Sequence, residues 1–141
     1  MLRGGRDFAT VGGLTLAATV RAPGAARREV RRRLKGRMAG DRLRDTELVV
    51  SELVSNAVLH SPRATVLEVW IGADAGSLRV EVSYAGERPP GAPPILPPPH
   101  SERGRGLAIV DALADRWGAC GDGVTQVWFE MDVADHGGGA G

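Results

Sequence analysis

The segment Ser51-Glu52-Leu53-Val54-Ser55-Asn56-Ala57-Val58-Leu59-His60 carries a carboxylate, an amide and an imidazole, each four residues after the last. On a helix that spacing sets Glu52, Asn56 and His60 along one stripe. The amide oxygen of Asn56 is a hard, neutral ligand suited to Mg²⁺, which keeps waters and phosphate oxygens as its other ligands. Glu52, one turn earlier, suits a general base acting on a hydroxyl or water beside a terminal phosphate. The same spacing is common on solvated helix faces, so it needs company before it means a site.

Two further segments supply that company. Arg103-Gly104-Arg105-Gly106-Leu107 opens a helical pattern. Its glycines let the backbone approach a phosphate closely. The free N–H groups of a first helical turn favour anions, and Arg103 or Arg105 can add a charged hydrogen bond. A tight loop-to-helix turn explains the same glycines. Thr125, just after Gly121-Asp122-Gly123-Val124, can bond a phosphate or a water, or can simply follow a turn between strands.

These residues need elements to hold them. Residues 14–20 alternate apolar and small polar types and read as a strand. Pro23-Gly24 introduces a helix over about residues 25–37, with Ala26, Val30, Leu34 and Met38 as its buried stripe. Its other faces carry Arg27, Arg28, Arg31, Arg32, Arg33, Lys35 and Arg37. A solvated basic face accounts for them; so does a docking surface for an acidic partner. Gly40 breaks the chain, Asp41 can cap a second helix, and Ser61-Pro62 ends it near His60. Strands follow over 64–71 and 78–84, joined by a turn at Ala73-Asp74-Ala75-Gly76.

Residues 85–102 contain seven prolines and exclude regular helix or a central strand. A loop of that length is a lid or a plain linker. A third helix follows from Gly104, then strands over 116–120 and 124–131. The expected fold class is α+β: a two-layer sandwich, its mostly antiparallel sheet covered on one face by three helices. The expected organisation is a flexible leader over 1–12, one domain over 13–133, and a glycine-rich disordered tail over 134–141.

Composition narrows the function. The chain of 141 residues carries 18 basic and 17 acidic residues, a net charge of +1. That balance gives no general attraction to nucleic acid or to a membrane. Its single cysteine, Cys120, excludes an internal disulfide and any multi-cysteine zinc site, and reads as a small buried hydrophobe in a reducing compartment. No signal-type run opens the chain and no stretch approaches the ~20 apolar residues of a membrane span, so a cytoplasmic protein is expected. Neither a P-loop string nor the lysine and His-Arg-Asp strings of protein kinases occur.

In this order and spacing the three segments resemble a known set. Glu52 to His60 looks like the N-box of the gyrase and histidine-kinase type (Bergerat) ATP-binding fold. Gly104-Arg105-Gly106-Leu107 with Ile109-Val110-Asp111 is similar to its second glycine box, and residues 124–129 resemble its closing strand. The compact length resembles the RsbW-type anti-sigma factor serine kinases, and leaves no room for the phospho-acceptor helix pair of a sensor histidine kinase. The resemblance covers roughly residues 14–132.

Such proteins bind a sigma factor, keep it from RNA polymerase, and release it after phosphorylating a serine of an antagonist (anti-anti-sigma) protein with Mg²⁺-ATP. The resemblance therefore implies ATP and Mg²⁺ as cofactors. It makes Glu52 the catalytic base and Asn56 the magnesium ligand. His60, Gly104, Gly106 and Thr125 become nucleotide contacts, beside Arg103, Arg105, Leu107 and Gly86. A homodimer is among the arrangements left open.

One position departs from the family's pattern. The family places an Asp at the end of the strand before the lid, two residues ahead of a glycine, where it accepts a hydrogen bond from the adenine amine. Here the string is Val82-Ser83-Tyr84-Ala85-Gly86. Gly86 is kept, but Tyr84 stands in place of the carboxylate, on the same strand face as Val80 and Val82. Two functions follow: an active kinase with weakened nucleotide use, or a module that sequesters its partner without turnover.

Overall fold

Alternation along residues 77–85 organises the molecule. Leu78, Val80, Val82 and Tyr84 turn to one face and join the core, while Arg79 and Glu81 turn to the other. The computed structural model describes residues 7–60, 66–85, 105–121 and 124–133. The elements in order are β1 (Ala9–Ala17), α1 (Ala22–Leu34), α2 (Gly40–His60), β2 (Val66–Ala73), β3 (Ser77–Ala85), α3 (Arg105–Leu113), β4 (Arg116–Gly121) and β5 (Val124–Asp132).

The five strands form one antiparallel sheet in the order β1-β2-β3-β5-β4. The helices cover one face of it: α1 packs on β1 and α2, α2 packs on β3, β5 and α3, and α3 packs on β4. Ala26, Val30 and Leu34 of α1, and Val50, Leu53, Val54 and Ala57 of α2, meet Leu67, Ile71, Val80, Val82, Phe129 and Met131 in a single core. The expected α+β sandwich with three helices on one face is the fold observed.

Several boundaries differ from the sequence reading. The first strand runs over Ala9–Ala17, not 14–20, so residues 9–12, expected in the leader, belong to the sheet. Pairing with β2 overrides their weak strand propensity: Ala9 lies opposite Ala73 and Thr10 opposite Gly72. Helix α1 spans Ala22–Leu34 rather than 25–37. It stops early because Gly36 takes a positive φ of 89°, a conformation that side chains other than glycine's resist. Cys120 is exposed, not buried. It sits on the edge strand β4, and alternation turns Ala119 inward and Cys120 to the face that the helices leave uncovered.

The turn expected at 73–76 is present, and its cause is visible. Asp74 Oδ1 accepts the backbone N–H groups of Gly76 at 2.9 Å and Ser77 at 2.7 Å, closing the β2–β3 hairpin. At the same end of the sheet, where Asp132 pairs with Ser77, Arg42 locks α2 to the sheet. Its guanidinium donates to Asp115 Oδ2 at 2.6 Å and to the Asp132 carbonyl at 3.0 and 3.1 Å.

Candidate functional site

The site residues on α2 are placed by that helix's own amphipathicity. Leu53, Val54 and Ala57 are buried against the sheet, which leaves Glu52 and Asn56 half-buried on the flank. The two lie one turn apart, as the spacing requires. Among the described residues Glu52 makes no hydrogen bond or ion pair. Asn56 is different: its Nδ2 is buried and has no hydrogen-bond partner. A buried amide group left unsatisfied costs about 1–3 kcal/mol. The amide turns about its last bond, so the same buried end can present Oδ1 instead.

Interhelical ties fix α2 against α1 beside this stripe. Arg27 Nη1 donates to Ser51 Oγ at 2.8 Å, and Arg31 grips Glu47 with two bonds of 2.9 Å. These contacts were not foreseen in the sequence. Their signal was present, since Glu47 and Ser51 are four apart and so are Arg27 and Arg31.

Tyr84 and Thr125 face each other across β3 and β5 as register partners. Their hydroxyls are hydrogen-bonded, and both residues are buried, Tyr84 being 2% exposed and Thr125 1%. The hydroxyl of Thr125, expected to meet a nucleotide, thus has Tyr84 as its neighbour. Leu107 of α3 is buried in the same core. Arg105 and Gly106 begin α3 and His60 ends α2, and of these three only the backbone is described. Of the lid expected over 85–102, Ala85 is the last residue of β3, and residues 86–102, Gly86 among them, with Arg103 and Gly104, lie outside the described residues. No group of three or more His, Cys, Asp or Glu capable of holding a metal occurs among the described residues, so a metal here would rest on one amide and on oxygens of its ligand. None of the described helices is long and apolar enough to cross a membrane.

Burial pushes the Tyr84 phenol up to about 12, with the Thr125 hydrogen bond pulling weakly the other way. Between pH 10 and 12 the unfolded chain therefore ionises this group while the folded chain keeps its proton. Folded stability should be unaffected below pH 10 and fall by on the order of 2 kcal/mol as pH rises toward 12. Tyr84 is the only tyrosine of the chain, so its phenolate absorbance can be followed alone. A phenolate appearing near pH 10 in the folded protein would contradict this burial.

These residues fit a nucleotide unevenly. The amide of Asn56, turned to present its Oδ1, and the carboxylate of Glu52 suit a metal–phosphate ligand. At position 84, where the resemblance expects a carboxylate, stands a buried tyrosine ring.

Comparison with known proteins agrees with this fold. Among solved structures, that of the RsbU and RsbW domains of Rv1364c from Mycobacterium tuberculosis is similar, with a TM-score of 0.61 and 22% identity. The alignment covers 85% of this chain and 32% of that one. No curated protein matches the chain. The sequence profile of the histidine kinase-like ATPase domain matches residues 16–131, which include Glu52, Asn56, Tyr84, Leu107 and Thr125. A match of that extent, on a sheet and helices of this arrangement, means that the chain belongs to the histidine kinase-like ATPase domain family.

Proposed function

We propose that this protein is an ATP-binding regulator of the anti-sigma factor kinase type, which sequesters a sigma factor and phosphorylates a serine of an antagonist protein. The observation that carries the reading is the pairing on α2 of a free carboxylate, Glu52, with a buried unsatisfied amide, Asn56, one turn on. Bound Mg²⁺-ATP would supply the phosphoryl group. Asn56 would present its Oδ1 to the metal. Glu52 would take the proton from the attacking serine hydroxyl. The first turn of α3, with Arg103 and Gly104 ahead of it, would hold phosphate oxygens on backbone N–H groups.

The basic face of α1 supports a partner-binding role. Arg27, Arg31, Arg32 and Arg33 are held by Ser51, Glu47 and Glu29. Among the described residues Arg21, Arg28 and Lys35 pair with no carboxylate, and their spacing of seven aligns them on one exposed stripe. An acidic partner surface is the matching chemistry, and neither nucleic acid nor membrane is needed to explain it.

A second reading, a module that sequesters its partner without turnover, is favoured by one observation: the buried Tyr84–Thr125 pair on the adenine side. Calorimetric titration with Mg²⁺-ATP separates the two. On the kinase reading, Glu52→Ala should remove phosphotransfer and leave nucleotide affinity within about twofold, because the carboxylate acts on the nucleophile. Asn56→Ala should weaken binding about tenfold or more with magnesium and little without it. Equal loss of binding and rate in Glu52→Ala, or a metal-independent effect in Asn56→Ala, would contradict these roles. No heat of binding at millimolar ATP would leave the sequestering module.

A further inference from the structure

The solvent-facing stripe of α2 carries apolar side chains on both sides of Glu52. Leu48, Glu52, Ser55 and Leu59 follow one another at intervals of four, three and four residues, so they lie along one line of the helix. Leu48 is 42% exposed and Leu59 72%. Scattered exposed leucines are common on protein surfaces. These two share a line with the carboxylate proposed as the base, and between Glu52 and Leu59 the line holds only the small side chain of Ser55.

Helix α1 flanks this line. Arg27 donates to Ser51 and Arg31 to Glu47, so the two helices run antiparallel, and Arg28 comes level with the turn between Leu48 and Glu52. Arg28 is exposed and, among the described residues, pairs with no carboxylate. The same antiparallel course brings the start of α1 to the Leu59 end of α2, and Val20, just ahead of α1, is 91% exposed there. Apolar side chains, a cation and a carboxylate are thus laid out in a fixed order along the helix pair.

We propose that this line is the docking track for the partner segment that carries the acceptor serine, and that it selects a serine with an apolar residue on each side and a carboxylate toward Arg28. The role of the serine rests on the proposed phosphotransfer; the docking does not. At 1.5 Å per helical residue Leu48 lies about 6 Å from Glu52 along the axis and Leu59 about 10.5 Å. An extended segment advances about 3.3 Å per residue, so its apolar residues fall about two positions from the serine on the Leu48 side and about three on the Leu59 side. The position between the serine and the nearer apolar residue comes level with Arg28, where a carboxylate gains a charged hydrogen bond. The surface is exposed and shallow, so a short segment should bind with a dissociation constant on the order of 1 mM, and the acidic contribution should fade in high salt. A folded partner would add its own contacts around these.

The probe is the capped peptide Leu-Asp-Ser-Gly-Gly-Leu, with its reverse, Leu-Gly-Gly-Ser-Asp-Leu, for the other chain direction. Each is titrated into the full chain, with and without Mg²⁺-ADP, and followed by leucine methyl resonances assigned through Leu48→Ala and Leu59→Ala. The Leu48 and Leu59 methyl groups should shift and saturate with one of the two peptides, while those of the buried Leu53 and Leu67 stay. Alanine in place of both peptide leucines should weaken binding at least about fivefold, and Leu48→Ala or Leu59→Ala in the protein at least about threefold. Arginine in place of the peptide aspartate should weaken it at least about threefold, and Arg28→Ala should abolish that difference. Both leucines are exposed, so their alanine variants should keep the melting temperature and the Mg²⁺-ATP affinity of the natural protein. No methyl shift by about 10 mM of either peptide, equal affinity for the alanine or the arginine peptide, or unchanged affinity in Leu48→Ala or Leu59→Ala overturns the proposal. Binding as expected without phosphate transfer from Mg²⁺-ATP would keep the docking track and remove the kinase reading. Equal phosphorylation of the leucine and alanine peptides would do the reverse.

Discussion

Arg79→Ala should destabilise the protein by about 3–5 kcal/mol, lowering its melting temperature by roughly 10–20 °C. Arg79 is 3% exposed, and its two carboxylate partners, Glu81 and Glu130, are each 2% exposed. Removing the cation takes from Glu81 its bond to Arg79 Nε and leaves Glu130 with Arg116, at 2.7 Å, and loss of a partner from a buried charge network is far more costly than loss of a surface pair. The stacked contact with Trp128 goes as well. Glu81→Gln is the useful contrast. It keeps a neutral acceptor near Arg79 Nε and leaves the 2.7 Å bond to Glu130, so its loss should be only about 1–2 kcal/mol. Denaturant unfolding followed by circular dichroism measures both. A loss below about 1 kcal/mol for Arg79→Ala would mean that water reaches the network and that its charges are not desolvated.

How much of this was legible in the sequence depends on the range of the interaction. The 3.6-residue stripe of Ala26, Val30 and Leu34 and the alternation through Leu78, Val80 and Val82 are local patterns, and both elements formed where those patterns lay. The Glu52–Asn56 stripe is likewise a matter of helical spacing. The start of β1 was missed because Ala9-Thr10-Val11-Gly12-Gly13 has little intrinsic preference for a strand; β2 supplies its hydrogen bonds, and the Trp70 indole ties down Thr10. The end of α1 was overrun because Lys35 and Arg37 continue its basic pattern, while Gly36 alone reverses the backbone.

The largest gap was in contacts between strands far apart in the chain. Tyr84 meets Thr125, and Arg79 meets Glu130, only because β5 inserts between β3 and β4. Alternation assigned each residue to a face, but the register between β3 and β5 is a tertiary property. It is that register which makes Tyr84 and Thr125, read separately in the sequence, a single hydroxyl pair on the adenine side of the proposed site.

Tyr84→Asp should bind Mg²⁺-ATP at least tenfold more tightly than the natural protein, a gain of about 1.4 kcal/mol. On the proposed reading Tyr84 stands where the family keeps the carboxylate that accepts the adenine amine. Losing such a charged hydrogen bond costs about 1.5–3 kcal/mol before any clash with the ring. Restoring the carboxylate should therefore recover affinity, with the Thr125 hydroxyl free to donate to it. The gain should favour adenine over guanine nucleotides, since guanine presents an oxygen where adenine presents the amine. The substitution has a structural cost, because the ring is buried in the core and bonded to Thr125. Loss of a buried ring costs about 3–5 kcal/mol and the new carboxylate needs partners, so titrations belong well below the melting point. Tyr84→Ala separates space from charge. If the alanine variant gains as much affinity as the aspartate variant, the ring was a steric block and the carboxylate adds nothing. Tyr84→Phe, which loses only the hydroxyl pair, should cost about 1 kcal/mol of stability and leave ATP affinity unchanged. Micromolar ATP binding by the natural protein, with no change in Tyr84→Asp, would show that another group reads the adenine, and the sequestering-module reading would fail with it.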